Sequence, residues 1–210
     1  MTISLHGSAT VLFQGDSITD AGRTSDPGHP LGRGYARLAA DLVRIARPES
    51  DITFINRGIS GDRTSDLRAR WREDAVDLEP DVVSVLIGVN DTWRRYDSGD
   101  VTSLCSYEDD YRTILTQVRE GSDVQLILVE PFLVPVTPEQ WAWREDLDPR
   151  IHAVRRLSEE FDATLLAADG LLNQAARAAG GAGHIAGDGV HPTPLGHAVL
   201  AEAWTALVRL

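Results

Sequence analysis

A chain of 210 residues, 42% hydrophobic and 25% charged, has the composition of one folded domain with a sizeable core, and disorder is not expected. Its 32 acidic and 20 basic residues leave a formal charge of −12, which argues against nucleic-acid and anionic-membrane partners, and no basic patch interrupts that balance. Every basic residue is arginine, which excludes a Schiff-base or P-loop lysine.

Taken in chain order, the N-terminal residues lack a basic region followed by a long apolar stretch, so no signal peptide is read and a cytoplasmic location is expected. No apolar run reaches membrane-spanning length. The first strand-like run, Ala9–Gln14, stops abruptly at Gly15-Asp16-Ser17. Asp and Ser at such a place cap helices, but a serine there is also a candidate nucleophile if a base lies elsewhere in the chain. A helical pattern over Tyr35–Ala46 leads to a second strand, Asp51–Asn56, followed by "RGISGDRTSD". Next come a helix over Thr64–Leu78, a strand over Val82–Ile87 and the segment "GVNDTWRRYD". The lone Cys105 rules out an intrachain disulfide and reads as a structural thiol. A helix over Tyr107–Glu120 and a strand over Val124–Val129 precede the longest irregular connection, Pro131 to Asp148. Trp141 and Trp143 lie in that connection, placed to line the mouth of a site or to form an oligomer contact. A helix over Pro149–Phe161, a strand over Ala163–Leu166 and a helix over Leu171–Ala179 follow, then "GDGVHPTPLGH" and a last helix over Pro194–Val208.

Short strands rich in Val, Ile and Leu are what a sheet buried on both faces requires. Their alternation with helices predicts a single α/β domain, 1–210, with a parallel sheet between two helical layers. Ligands of such sheets bind beyond the carboxyl ends of the strands. "GDS", "RGISGDRTSD" and "GVNDTWRRYD" each follow a strand, and "GDGVHPTPLGH" precedes the last helix. These segments hold the polar residues from which chemistry is built.

Asp188 and His191 supply the base that Ser17 needs. An Asp three residues before a His can bend back to Nδ1 and leave Nε2 for a serine hydroxyl. Alone, the same residues also read as a polar turn leading into a capped helix. Attack by a serine on a carbonyl creates an oxyanion, which preplaced donors must meet. The Ser17 and Gly61 backbone N–H groups and the Asn90 side-chain amide can serve. Taken singly, Gly61 is equally an ordinary loop glycine and Asn90 an Asx-turn residue.

In order and spacing, "GDSITD", "NRGISGDRTSDL", "IGVNDTWRRYD" and "DGVHPTPLGH" resemble the four blocks of the SGNH (GDSL-type) hydrolase family. The resemblance spans essentially the whole chain. It implies a flavodoxin-like three-layer αβα sandwich with a five-stranded parallel sheet. It also implies Ser17 as nucleophile, Asp188 and His191 as the rest of a triad, and Ser17, Gly61 and Asn90 as oxyanion donors. One departure is Val89, where the third block of the family has a second glycine; it puts the local turn geometry in question.

"GVNDTWRRYD", "ARWRED" and "GYARL" are similar to the acetylxylan-esterase-like branch, which implies O-acetyl groups on a saccharide such as xylan as substrate. Trp93, Arg94 and Tyr96 are the candidate saccharide contacts. The competing possibility is that Trp93 packs in the core and Arg94 and Arg95 pair with Asp97 or Asp91. An α/β-hydrolase elbow is excluded, because Thr19 stands where its second glycine belongs. No HExxH or closely paired ligands are present, so neither a metal nor another cofactor is expected. The expected partner is a small acylated substrate, not nucleic acid or membrane, and self-association into a homo-oligomer is left open. A lysophospholipase or acyl-thioesterase would use the same machinery. From a different class, a non-catalytic binding module would use "GDSIT" as an anion-binding turn but gives Asp188, His191 and Asn90 no purpose.

Overall fold

The apolar runs do form strands, and five of them form one sheet in the computed structural model, which describes residues 2–5 and 7–209. In chain order, β1 (Ile3–Ser4) and β2 (Ser8–Gly15) lead into one helical turn, α1 (Ser17–Asp20), then α2 (Tyr35–Ala46) and β3 (Asp51–Asn56). Next come α3 (Thr64–Asp74), β4 (Val82–Leu86), α4 (Val89–Asp97), α5 (Leu104–Arg119) and β5 (Gln125–Val129). The rest comprises α6 (Pro138–Ala142), α7 (Arg144–Glu160), β6 (Thr164–Leu166), α8 (Ala168–Ala178), α9 (Pro194–Ala206) and β7 (Val208–Arg209). The central sheet is parallel throughout, in the order β3-β2-β4-β5-β6. Its register sets Gly15 beside Leu86, and Leu86 beside Val129, so the carboxyl ends line up on one edge.

The period-two alternation of a strand sends its side chains into two separate cores. Val11 and Phe13 pack with Tyr35 and Val43 of α2, Leu172 of α8 and Trp204 of α9. Leu12 packs the other way, with Leu67 and Trp71 of α3, Leu115 of α5 and Leu157 of α7. Two helical layers therefore enclose the sheet, giving the three-layer α/β sandwich that the alternation of strands and helices predicts. Burying each such aromatic or leucine contributes roughly 1.5–3 kcal/mol. Ser84 is the polar exception on β4; its Oγ accepts the Trp204 Nε1–H at 3.0 Å, so both buried polar groups are satisfied.

Several boundaries differ from those expected. The last helix stops at Ala206 because Val208 pairs with Ile3 in a separate two-stranded parallel ribbon. The helix from Thr64 stops at Asp74, and a 3₁₀ turn over Val76–Leu78 replaces its end, closed by Glu79 at φ +47°. The stretch from 131 to 148 is not wholly irregular. Pro138 opens α6 near its first turn, where a missing N–H costs nothing, and α7 begins at Arg144, ahead of Pro149. Pro149 lies inside α7, removing one helical hydrogen bond beside the exposed Glu145. No helix among the described residues is long and apolar enough to cross a membrane.

Candidate active site

Strand β2 ends at Gly15, and Asp16 caps the turn that follows by accepting the Ile18 N–H at 3.0 Å. Ser17 is therefore the first residue of α1, on the carboxyl edge of the sheet, where its backbone N–H has no carbonyl within the helix to receive it. The Ser17 Oγ lies 2.9 Å from His191 Nε2, and His191 Nδ1 lies 2.6 Å from Asp188 Oδ2. With Nδ1–H donated to the carboxylate, Nε2 presents its lone pair to the serine hydroxyl. Asp188 also accepts the Val190 and His191 backbone N–H groups, at 2.9 and 2.7 Å. Burial pushes the Asp188 carboxyl up, but hydrogen bonds from the imidazole and these two amides outweigh it and hold it below its ordinary value. The pair stands open to solvent: the side chains of His191 and Asp188 are 45% and 48% exposed.

A buried glutamine holds this loop. Gln140 of α6 donates from Nε2 to the Asp188 carbonyl at 2.6 Å and accepts the Val136 N–H at 2.8 Å. Val134 N–H donates to the Gly189 carbonyl at 2.8 Å, so the 134–140 segment and the Asp188 loop are stitched together twice. Gly189 has φ +88°, and a Cβ there would lie 2.4 Å from Gln140 Oε1, so only glycine fits. Nothing local marks Gln140 in the sequence; its partner is 48 residues away.

Gly61 and Asn90 come from the loop after β3 and the start of α4. Arg57 N–H to Phe13 O (2.9 Å) and Ile59 N–H to Gly15 O (3.0 Å) prolong the pairing of β2 and β3 toward Ser17. Asp20 of α1 then fixes the loop by accepting the Ser60 hydroxyl at 2.6 Å. Space for a side chain lies open beside Gly61, and its N–H has no acceptor among the described residues. Asn90 donates one Nδ2–H to the Asp62 carbonyl at 3.0 Å, which sets the amide plane and leaves its second N–H available. Beneath it, buried Asp91 accepts the Thr64 N–H and Oγ–H at 3.2 and 2.9 Å. The Val89 departure is absorbed locally: Gly88 alone makes the turn at φ +131°, and Val89 is a buried residue of the first helical turn.

Asp16 is buried beside this site, and its Oδ2 has no partner among the described residues. Burial, reinforced by the Asp91 and Asp62 charges, pushes its carboxyl up to about 7 against the opposing hydrogen bond from Ile18. Below that pH the neutral acid puts no negative charge under Ser17. The sign for stability follows. A raised carboxyl favours the unfolded chain once that chain ionises, so stability declines as pH rises from about 4 to about 7 and is level beyond. At 1.36 kcal/mol per pKa unit, the full penalty is on the order of 4 kcal/mol. Asp16→Asn is therefore expected to raise the urea midpoint at pH 8, with the gain closing toward pH 4. An unchanged or lower midpoint at pH 8 would mean that Asp16 is ionised and compensated there.

Of the three candidate saccharide contacts, only Trp93 meets His191: its ring centroid is 5.8 Å from that of His191 and 5.6 Å from that of Trp143. Arg94 instead pairs with Asp97, as the competing possibility anticipates. Tyr96 stacks on Trp143 at 5.4 Å and donates its hydroxyl to the Ala142 carbonyl at 3.0 Å. His197 accepts the Tyr35 N–H at Nδ1; burial, with the His191 charge, pushes it down to about 4, so it stays neutral. Among the described residues, no group of three or more His, Cys, Asp or Glu side chains is arranged to hold a metal.

A model of the GDSL-like lipase/acylhydrolase family matches residues 13–199. An acetylxylan esterase from Geobacillus stearothermophilus is 36% identical over 201 residues, covering 92% of this chain and 91% of the esterase. A crystal structure of that organism's acetylxylan esterase superposes with a TM-score of 0.87 at 33% identity, covering 100% of this chain and 99% of the other. Catalytic mutants of that esterase alter a serine, an aspartate and a histidine, the last two three positions apart. An alpha/beta hydrolase enzyme from the Lake Arreo metagenome is 29% identical with a TM-score of 0.87, covering 97% of this chain and 96% of that one.

Proposed function

The chain belongs to the GDSL-like lipase/acylhydrolase family and is a carboxylic ester hydrolase, and on that premise we propose that it removes O-acetyl groups from saccharides, xylan and xylo-oligosaccharides foremost, through an acyl-enzyme on Ser17. The observation that carries the mechanism is the unbroken line from Ser17 Oγ through His191 to Asp188, at 2.9 and 2.6 Å. His191 Nε2 takes the serine proton as Oγ attacks the acetyl carbon. The oxyanion is received by the Ser17 and Gly61 backbone N–H groups and the free Nδ2–H of Asn90. The tetrahedral adduct collapses, the C–O bond to the sugar breaks, and His191 returns the proton to the departing hydroxyl. Water, deprotonated by the same imidazole, then attacks the acetyl-serine ester and releases acetate.

Support for the substrate is of two kinds. The relatives at 36% and 33% identity are acetylxylan esterases. In addition, the half-exposed His191–Asp188 pair, flanked by Trp93 with Trp143 packed behind that ring, suits an ester projecting from a bulky chain, which reaches the serine without entering a tunnel. The test is acetate release from acetylated xylo-oligosaccharides, beside 4-nitrophenyl acetate and 4-nitrophenyl octanoate. Rapid turnover of the sugar and aryl acetates with little on octanoate is expected. Turnover of the aryl acetate alone would keep the machinery and discard the saccharide, and preference for octanoate would point to a lysophospholipase or thioesterase.

A further inference from the structure

Helix α6 connects two aromatic sites. Gln140 reaches inward to the Asp188 carbonyl, and Trp143, just past the helix, stacks on Tyr96 beside Trp93 and His191. Trp141, between them, is 63% exposed and borders a different cavity of about 410 Å³. That cavity lies between the segment after β5 and helix α8, on the same carboxyl edge of the sheet as Ser17.

Its lining sets four polar side chains beside the Trp141 ring. Arg144 and Asp169 form a two-pronged ion pair, at 2.7 and 2.8 Å, that fixes the polar wall. Asn173 donates Nδ2 hydrogens to the Leu133 and Asp169 carbonyls, at 3.0 and 2.8 Å, so its amide is pinned. The Asn173 Oδ1 receives no hydrogen bond from any described residue and remains an acceptor. Arg177 is exposed and makes no ion pair with any described residue. Its guanidinium therefore retains its donors. A pyranose ring needs this combination: a flat aromatic surface for its C–H face, and fixed donors and acceptors for hydroxyls that do both. A neutral sugar also enters without the repulsion that a chain of charge −12 imposes on an acidic polymer.

We infer that Trp141, Asn173 and Arg177 form a second saccharide-binding site, which holds a remote pyranose of the substrate chain while its acetyl ester is at Ser17. This rests on the saccharide esterase reading above. The site acts on binding, not on the chemical step, because none of its residues touches the reacting atoms. Long acylated chains gain from it, and aryl acetates do not.

The test is calorimetric titration of the Ser17→Ala enzyme with unacetylated xylohexaose, with and without Trp141→Ala. In parallel, KM is measured for acetylated xylo-oligosaccharides and for 4-nitrophenyl acetate in enzymes with Ser17 intact. Loss of the aromatic face is expected to weaken xylohexaose binding and raise the oligosaccharide KM about tenfold. Turnover of 4-nitrophenyl acetate should be unchanged, which also certifies the fold, and Trp141→Phe should recover part of the affinity. Equal xylohexaose affinity with and without Trp141, or no binding by either enzyme, overturns the second site. An enzyme that leaves acetylated saccharides intact overturns the esterase reading instead, and the titration then decides the site by itself.

Discussion

Ser17→Ala is expected to lower kcat on 4-nitrophenyl acetate by about 10⁶-fold, the order that loss of a serine nucleophile costs in a triad hydrolase. The fold should hardly notice. The Ser17 side chain is only partly buried, and its hydroxyl is bonded to the His191 ring, so the truncation forfeits one hydrogen bond worth about 1 kcal/mol. The two halves of the prediction belong together: inactivity with an unshifted melting curve isolates chemistry from stability. An organophosphonate that labels the native protein and spares the variant would identify the nucleophile directly. Activity within tenfold of wild type would remove Ser17 from the reaction altogether.

Asp188→Asn is expected to cost about 10⁴-fold in kcat with little change in KM. The amide oxygen can still accept the Val190 and His191 backbone N–H groups that Asp188 Oδ1 now accepts, so the loop keeps its shape. The amide NH₂, however, replaces the acceptor at 2.6 Å from Nδ1. The imidazole must then carry its proton on Nε2, where it faces Ser17 as a donor and cannot act as a base. If the variant retained a tenth or more of wild-type kcat, solvent at this half-exposed position would be setting the tautomer in place of Asp188.

The sequence made the sheet legible because each central strand is an apolar run with buried neighbours on both faces. It could not reveal β1 and β7, since a two-residue strand is too short for any pattern and exists only through its partner across the chain. Helix α4 was hidden for a different reason. "GVNDTWRRYD" is polar and dense with functional residues, so it reads as a loop, although Gly88 starts a helix there. Pro149 reads as the first residue of a helix, the position proline favours, yet it is carried inside α7, and Pro138 opens α6 within the stretch that reads as irregular. In the candidate site, Ser17, Asp188 and His191 stood out by residue type and local spacing. Their supports did not: Gln140 under the Asp188 loop, Asp20 under Ser60 and Thr64 on Asp91 are ordinary polar residues. Each meets a partner 27 to 48 residues away, which only the fold reveals.

The bond between Ser17 and His191 spans 174 residues, and between them run four of the five strands of a parallel sheet. Contacts of that sequence separation are closed late, after the entropy of a long loop has been overcome. Early collapse can bury Phe13 or Leu12 against local neighbours, but it cannot bring the imidazole to the hydroxyl. On refolding from urea, recovery of esterase turnover should therefore trail the recovery of helical circular dichroism and follow the slowest phase. For this enzyme, activity is a clock for the last step of folding, started only when α9 and the loop before it have docked against β2.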